Sequence, residues 1–327
     1  MDAVAALLDG PRARDSFLLR VVLDAPWALH IEDEAPLTLV APLRGDAWVT
    51  PDGGEPVRVA PGDVAVVRGP EPYLVSDEPG RAPTVIVLPG EECVTLGGEP
   101  LAERMGLGVR TWGTRTDGES MMLIGTYTIR GAVGDRLLGA LPRVLRVGAE
   151  AGERALVGLL AEEAGRDAPG QSAVLDRLLD VLLIATLRTW LGAPGADAPA
   201  WYSAQADPVV GRALALMHNE PARRWTVGAL ADEVGVSRAT LARRFTELVG
   251  EPPMAFLTGW RLALAADMLR GSDAGIAAVA RAVGYGSPFA LSAAFTRERG
   301  VSPQRYRAGE GGAPAVGITD PGAAAVR

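Results

Sequence analysis

Lysine is absent from the 327-residue chain, so all 32 basic residues are arginine. With 40 glycines and 25 prolines beside it, this reads as coding bias. Cysteine occurs once, as Cys93, which excludes an internal disulfide framework and a cysteine-rich zinc site. Histidine occurs twice, as His30 and His218, and that removes most histidine-based metal centres. Long apolar runs are missing too. The best spans residues 181–187 and is charge-flanked, whereas a membrane span needs roughly 18–20 residues. Met1-Asp2 lacks the basic start of a secretory leader, so a cytoplasmic location is expected, with no membrane partner. No glycine-rich phosphate loop, Ser/His/Asp set or paired-carboxylate motif stands out. The expectation is therefore a protein without catalytic residues, cofactor or metal.

What remains is ordinary globular usage, 48% hydrophobic and 22% charged, in a chain long enough for two domains. Its formal charge of −8 is unevenly spread. Residues 208–307 hold 13 Arg against 8 Asp and Glu, a net +5, and the rest holds 19 against 32, a net −13. A basic segment joined to an acidic one suggests a polyanion-binding module beside one that does not bind polyanions.

Residues 1–130 read as strands. Short apolar stretches at 18–23, 37–43, 47–50, 57–60, 64–67, 84–88 and 121–129 are separated by turn signals such as Pro51-Asp52-Gly53-Gly54 and Ala60-Pro61-Gly62-Asp63. That pattern fits a barrel or sandwich. Residues 131–192 read as a helical connector. It starts with Leu137, Leu138 and Leu141, is interrupted by Pro142, and continues with Leu156, Leu159 and Leu160. Residues 172–190 form the strongest amphipathic stretch, with Val174, Leu175, Leu178, Leu179, Leu182 and Leu183 at helical spacing. This stretch is the candidate homodimer surface. Residues 193–207 read as a linker and 308–327 as a frayed tail. The fold class is α+β and multidomain, ending in an all-α domain.

That last domain contains a repeat. Ala231-Asp232-Glu233-Val234-Gly235 recurs as Ala280-Arg281-Ala282-Val283-Gly284, and 237–245 recurs as 287–295. Gly250, Pro253 and Phe256 recur as Gly300, Pro303 and Tyr306. The offset is 49 residues before the turn and 50 after it. In each copy a glycine follows one helix and a serine caps the next, Ser237 or Ser287, with Pro288 at the first position of the second copy. Leu241/Phe245 and Leu291/Phe295, at i, i+4, face inward. This is a helix-turn-helix arrangement, whose second helix enters a major groove. Arg238, Thr240, Arg243 and Arg244 are expected to project outward, and arginine suits bidentate contact to guanine and phosphate.

Residues 208–307 closely resemble the AraC family DNA-binding domain. The carrying residues are Trp225 to Ala231, Ser237 to Phe245, Ala280 to Tyr285 and Gly300 to Arg307. The resemblance implies seven helices, with two recognition helices in successive major grooves of double-stranded DNA. It implies base reading by Ala239, Ala242 and Arg243 in the first module. In the second it implies reading around Ser287, Pro288, Phe289, Ala290 and Ser292. This second set is apolar, able to touch thymine methyls but not to form bidentate hydrogen bonds.

The N-terminal part resembles, less closely, the cupin-like sensor domain of many such regulators. The resemblance rests on Arg44-Gly45-Asp46-Ala47-Trp48, on 57–63 with its Pro61-Gly62-Asp63 turn, and on Leu74 to Pro79. It runs from about residue 26 to 79, and weakly to about 128. Metal-binding cupins carry clustered histidines. Here strand 37–43 has none, and Glu71-Pro72-Tyr73 stands where a histidine is common, so no metal is expected.

Trp27, His30, Trp48, Tyr73 and Trp112 are the candidates for an effector pocket. Each is also compatible with plain core or a structural hydrogen bond. Cys93, beside Glu91 and Glu92, is a candidate redox sensor, although two carboxylates would raise its pKa. His218 ends a helix before Pro221, where it suits the helix dipole. The reading is a transcriptional regulator, activator or repressor, controlled by a small effector, with RNA polymerase as a further partner of an activator. Two rivals stay open: a cupin-type enzyme with an appended DNA-binding domain, and a regulator whose β domain binds a protein.

Overall fold

A computed structural model of the protein describes residues 17–90, 92–127, 131–148, 151–193 and 200–309. Thr128 and Ile129 of the last expected strand, 194–199 of the linker, 310–327 of the tail and the side chain of Leu137 lie outside the described residues. The chain divides into two compact units. One is 2–130 with 134–206, and the other is 207–327 with 131–133.

The first unit is a two-sheet sandwich. Its strands are β1 (Leu18–Leu23), β2 (Ala28–Ile31), β3 (Leu37–Arg44), β4 (Ala47–Pro51), β5 (Val57–Val59), β6 (Val64–Arg68) and β7 (Tyr73–Ser76). After them come β8 (Val85–Leu88), β9 (Glu92–Val94), β10 (Gly106–Gly108), β11 (Thr111–Gly113), β12 (Ser120–Tyr127) and β13 (Val144–Val147). One sheet has the order β10-β11-β1-β12-β3-β6-β13, the other β5-β4-β7-β2-β8-β9. Neither closes on itself, so of barrel and sandwich the chain adopts the sandwich. A short helix α1 (Ala102–Met105) leads into β10.

Helices α2 (Ala132–Ala140), α3 (Ala151–Ala164), α4 (Gln171–Gly192) and α5 (Ala200–Ser203) follow in chain order. The seven-stranded sheet is covered on both faces. Leu37, Leu39 and Ala41 of β3 join Leu123, Tyr127, Leu160, Leu179 and Leu183 in one core. Val40, between them in sequence, joins Val21, Leu29, Val75 and Met122 in the core between the sheets. A strand buried on both faces need not alternate apolar with polar, and on β3 all of 37–42 is buried, Thr38 included. The Tyr127 hydroxyl donates to the Leu179 carbonyl at 2.9 Å, tying β12 to α4.

The segment expected to be wholly helical contains β13. Pro142 ends α2 because it cannot donate within a helix. The alternating Val144-Leu145-Arg146-Val147 then pairs antiparallel with β6, Leu145 opposite Val66. On α4, Leu175, Leu179, Leu182, Leu183 and Leu187 are buried against the sheet. Val174 and Val181, on the other side of the helix, are 45% and 48% exposed.

The second unit holds seven helices among its described residues. They are α6 (Val210–Asn219), α7 (Val227–Val234), α8 (Arg238–Val249), α9 (Pro253–Gly271), α10 (Ile276–Ala282), α11 (Pro288–Arg299) and α12 (Pro303–Arg307). The helices α7–α8 and α10–α11 are the two repeats. Gly284 closes the first helix of the second repeat at φ +84°, and a Cβ there would lie 2.8 Å from the Pro221 and Ala222 carbonyl oxygens. Left-handed geometry and close backbone approach both require glycine at that position. His218 is buried, with Nδ1 2.8 Å from the Leu214 carbonyl and its ring edge-on to Phe256 and Trp260. It is a packed core histidine at the end of α6.

Candidate functional site

Local chemistry positions both helix-turn-helix modules. Thr226 caps α7, its hydroxyl accepting from the Ala229 amide at 3.0 Å. Ser237 caps α8 by accepting from Thr240 N–H (3.2 Å), and Ser287 caps α11 by accepting from Ala290 N–H (3.1 Å). In the first turn Gly235 is left-handed (φ +73°), and the Val236 amide donates back to the Ala231 carbonyl at 3.1 Å. The second turn repeats this, with Tyr285 N–H donating to the Ala280 carbonyl at 2.8 Å. These are the bonds that satisfy a helix's last carbonyls. Leu230, Leu241 and Phe245 are buried in the first module, and Val279, Leu291 and Phe295 in the second. The i, i+4 pairs therefore hold the recognition helices as the sequence pattern requires.

The outward face of α8 carries Arg238, Ala239 and Arg243, all exposed, with Thr240 and Ala242 half-buried. Arg243 donates to both carboxylate oxygens of Glu247, at 2.9 and 3.0 Å. An exposed i, i+4 pair of this kind is worth about 0.3–0.5 kcal/mol, so Arg243 can leave Glu247 for another acceptor at small cost.

Arg244, expected outward with its neighbour, is turned to Asp207 instead. Asp207 also accepts from the Val209 and Val210 amides at 3.0 and 2.9 Å, capping α6. Desolvation raises the Asp207 pKa, but these amides and the Arg244 guanidinium outweigh it and hold the carboxyl below its ordinary value. Arg244 therefore fastens α8 to the start of α6. The signal for it was present, since Asp207-Pro208 ahead of an apolar helix is a capping sequence.

On α11 the matching face is different in kind. Phe289 is 86% exposed, Ala290 and Ala293 are exposed, and Ser292 is half-buried. Around the two modules Arg212, Arg224, Arg238, Arg281 and Arg297 are exposed and form no ion pair with the described residues.

The sandwich of the first unit holds a small apolar pocket between its sheets. Hydrocarbon from Leu19, Leu29, Ile31, Val87 and Ile124 makes up most of its lining. Of the five sequence candidates, Tyr73 and Trp112 line it. His30 instead lines a shallower recess with Tyr73, its Nδ1 3.4 Å from Glu32. Trp27 is core, its indole N–H donating to Ser120 Oγ at 3.0 Å. Trp48 is half-buried on β4, away from this lining.

Cys93 lies on β9 at the pocket, half-buried. Asp33, which the sequence reading missed, lines the pocket too; burial pushes its carboxyl up. Burial, and then the charge of Asp33, push the Tyr73 phenol well above its usual value, so it stays protonated. The apolar stretch at 18–23 was a signal for Leu19 and Val21; Leu29 and Ile31 on β2, and Asp33 beyond it, had none. Among the described residues, no three His, Cys, Asp or Glu side chains are grouped to hold a metal ion. No described helix is long and apolar enough to cross a membrane.

Comparison with known proteins places these features. The family model described as Cupin matches residues 2–192, and the one described as Helix-turn-helix domain matches residues 230–309. An AraC-like transcription regulator of Streptomyces lividans is 31% identical, over 94% of this chain and 98% of its own. A second, of Streptomyces antibioticus, is 33% identical over 94% and 98%. Among solved structures, the DNA-binding domain of AdpA, a global transcriptional factor, in complex with a target DNA is 34% identical. That match covers 32% of this chain and 92% of that one, with a TM-score of 0.30.

Proposed function

As the chain belongs to the family of AraC-like transcriptional regulators, we propose that it is a homodimeric regulator of this kind, cytoplasmic and not an enzyme. In this reading α8 supplies the hydrogen-bonded base contacts and the β sandwich senses a small effector. RNA polymerase is a further partner if the protein activates. The observation that carries the DNA-reading role is Arg243, which stands exposed on α8 in a pair that DNA displaces easily. Replacing it tests the role. Arg243→Ala is expected to weaken cognate duplex by about 1–3 kcal/mol, the value of a bidentate base contact, and to leave scrambled duplex nearly unchanged. Equal losses on both duplexes would reassign Arg243 to a phosphate.

The apolar pocket supports the sensing role. Its lining favours a small neutral ligand, because a charged one must shed water against hydrocarbon. A ligand acts by binding one arrangement of the protein better than another. The expected result of a melting survey is that apolar neutral compounds raise the transition of the wild type. At a hundredfold excess over Kd the gain is about 2.7 kcal/mol. Val87→Trp, which fills the pocket, is expected to abolish the gain. An equal gain in that variant places the ligand elsewhere.

A further inference from the structure

Phe289 has the highest exposure of any large hydrophobic side chain among the described residues, at 86%. It is the second residue of α11, directly after the Ser287 cap and Pro288. A ring held in water adds nothing to the packing of the domain, whose core on this helix is Leu291, Ala294 and Phe295. Through the 50-residue offset, Phe289 occupies the place that Ala239 has on α8, and Ala293 the place of Arg243. The chemistry of the two faces is inverted. On α8 a small residue precedes a long cation; on α11 a large ring precedes a small residue.

The module that carries the ring also carries charge that fits a polyanion. Arg281 on α10 and Arg297 two turns along α11 are exposed and form no ion pair with described residues. Glu298, exposed beside Arg297, is the one acidic side chain of α11. An exposed apolar ring in a module that also carries unpaired cations suits the one apolar group in the major groove, the thymine 5-methyl.

Resting on the DNA-binding reading above, we propose that α11 selects thymine, with the Phe289 ring packed on the 5-methyl group. Ala290 and Ala293 let the helix seat closely enough for that contact. The two modules then read by different chemistry, α8 by hydrogen bonds and α11 by apolar contact. The ring offers no donor or acceptor, so selection at that base pair depends on the methyl group.

The test uses the full-length protein and a duplex selected from a random pool. Each thymine is replaced in turn by deoxyuridine, which removes the methyl and keeps every hydrogen-bonding group. The wild type is expected to lose about fourfold affinity per methyl at one or two thymines. 5-Methylcytosine opposite guanine at those positions is expected to bind better than cytosine. Phe289→Ala is expected to melt like the wild type, to bind the selected duplex more weakly, and to lose the thymine–uracil difference there. Arg243→Ala is expected to keep that difference.

A selected duplex whose thymines all tolerate uracil overturns the proposal alone, and so does a difference that survives in Phe289→Ala. Unchanged DNA binding by Phe289→Ala with lost transcription assigns the ring to a protein partner, and also overturns it. Failure to enrich any duplex overturns the DNA-binding reading itself.

Discussion

Raising salt from 50 to 200 mM is expected to weaken duplex binding roughly 500-fold, with log K falling linearly against log salt at a slope of about −4.5. The slope counts phosphate contacts, because each arginine that neutralises a phosphate releases condensed counterions. Five exposed arginines form no ion pair with described residues: Arg212, Arg224, Arg238, Arg281 and Arg297. Others in the second unit are committed. Arg223 pairs with Glu220 and Glu233, Arg244 with Asp207, and Arg261 donates to the Pro221 and Arg223 carbonyls. The whole chain is acidic, but at 0.15 M salt charges are screened over about 8 Å, so the local basic surface governs contact. Fluorescence anisotropy across the salt range measures the slope. Alanine at Arg212 or Arg224 is expected to flatten it by about one and to weaken cognate and scrambled duplex alike. Affinity independent of salt would remove phosphate contact as the basis of binding.

The double variant Val174→Glu with Val181→Glu is expected to be monomeric and folded. On paired sites its apparent affinity is expected to drop about 10²- to 10⁴-fold, the loss of effective concentration, with single-site binding unchanged. The two valines lie seven residues apart on α4 and are exposed, with half-buried Leu178 between them. Leu159 of α3, 51% exposed, adds to the apolar surface of these helices. A second copy of the chain is the occupant proposed for this face. The choice of positions matters. Leu182 belongs to the same amphipathic stretch but is fully buried in the helix–sheet core, so a charge there unfolds the first unit and reports nothing about assembly. Sedimentation at micromolar concentration, with a melt to confirm folding, distinguishes the outcomes. A monomeric wild type, or a variant that stays dimeric, assigns the face to something else.

The second unit was the more legible half. Its determinants are local: hydroxyl caps three residues from the amides they bind, left-handed glycines at the helix ends, and buried pairs one helical turn apart. The serine caps, glycines and buried pairs recur at an offset of 49 residues before the turn and 50 after it, so the two modules could be placed from residue order alone. β1, β3, β4 and β6 were legible for a similar reason, being apolar runs between turn residues. β2 and β7 were not: they pair with each other, His30 opposite Leu74 and Ala28 opposite Ser76, and that pairing is formed between segments more than forty residues apart.

By itself, then, the sequence determined the two helix-turn-helix modules, the strand-rich first half, the poverty of metal ligands and the inverted chemistry of α8 and α11. These depend on residue type and on spacing within a turn or two. The tertiary structure alone decided which arginines remain available, since Arg244 is withdrawn by Asp207 from 37 positions away. It also decided which tryptophan lines a pocket. Trp27 is held in the core by Ser120, 93 positions along the chain, while Trp112 faces the space between the sheets. The same holds for α4, where burial against the sheet separates Leu182 from Val181 although both are apolar. A side chain's availability depends on distant residues that reach the same place, and that information appears only when the chain has folded.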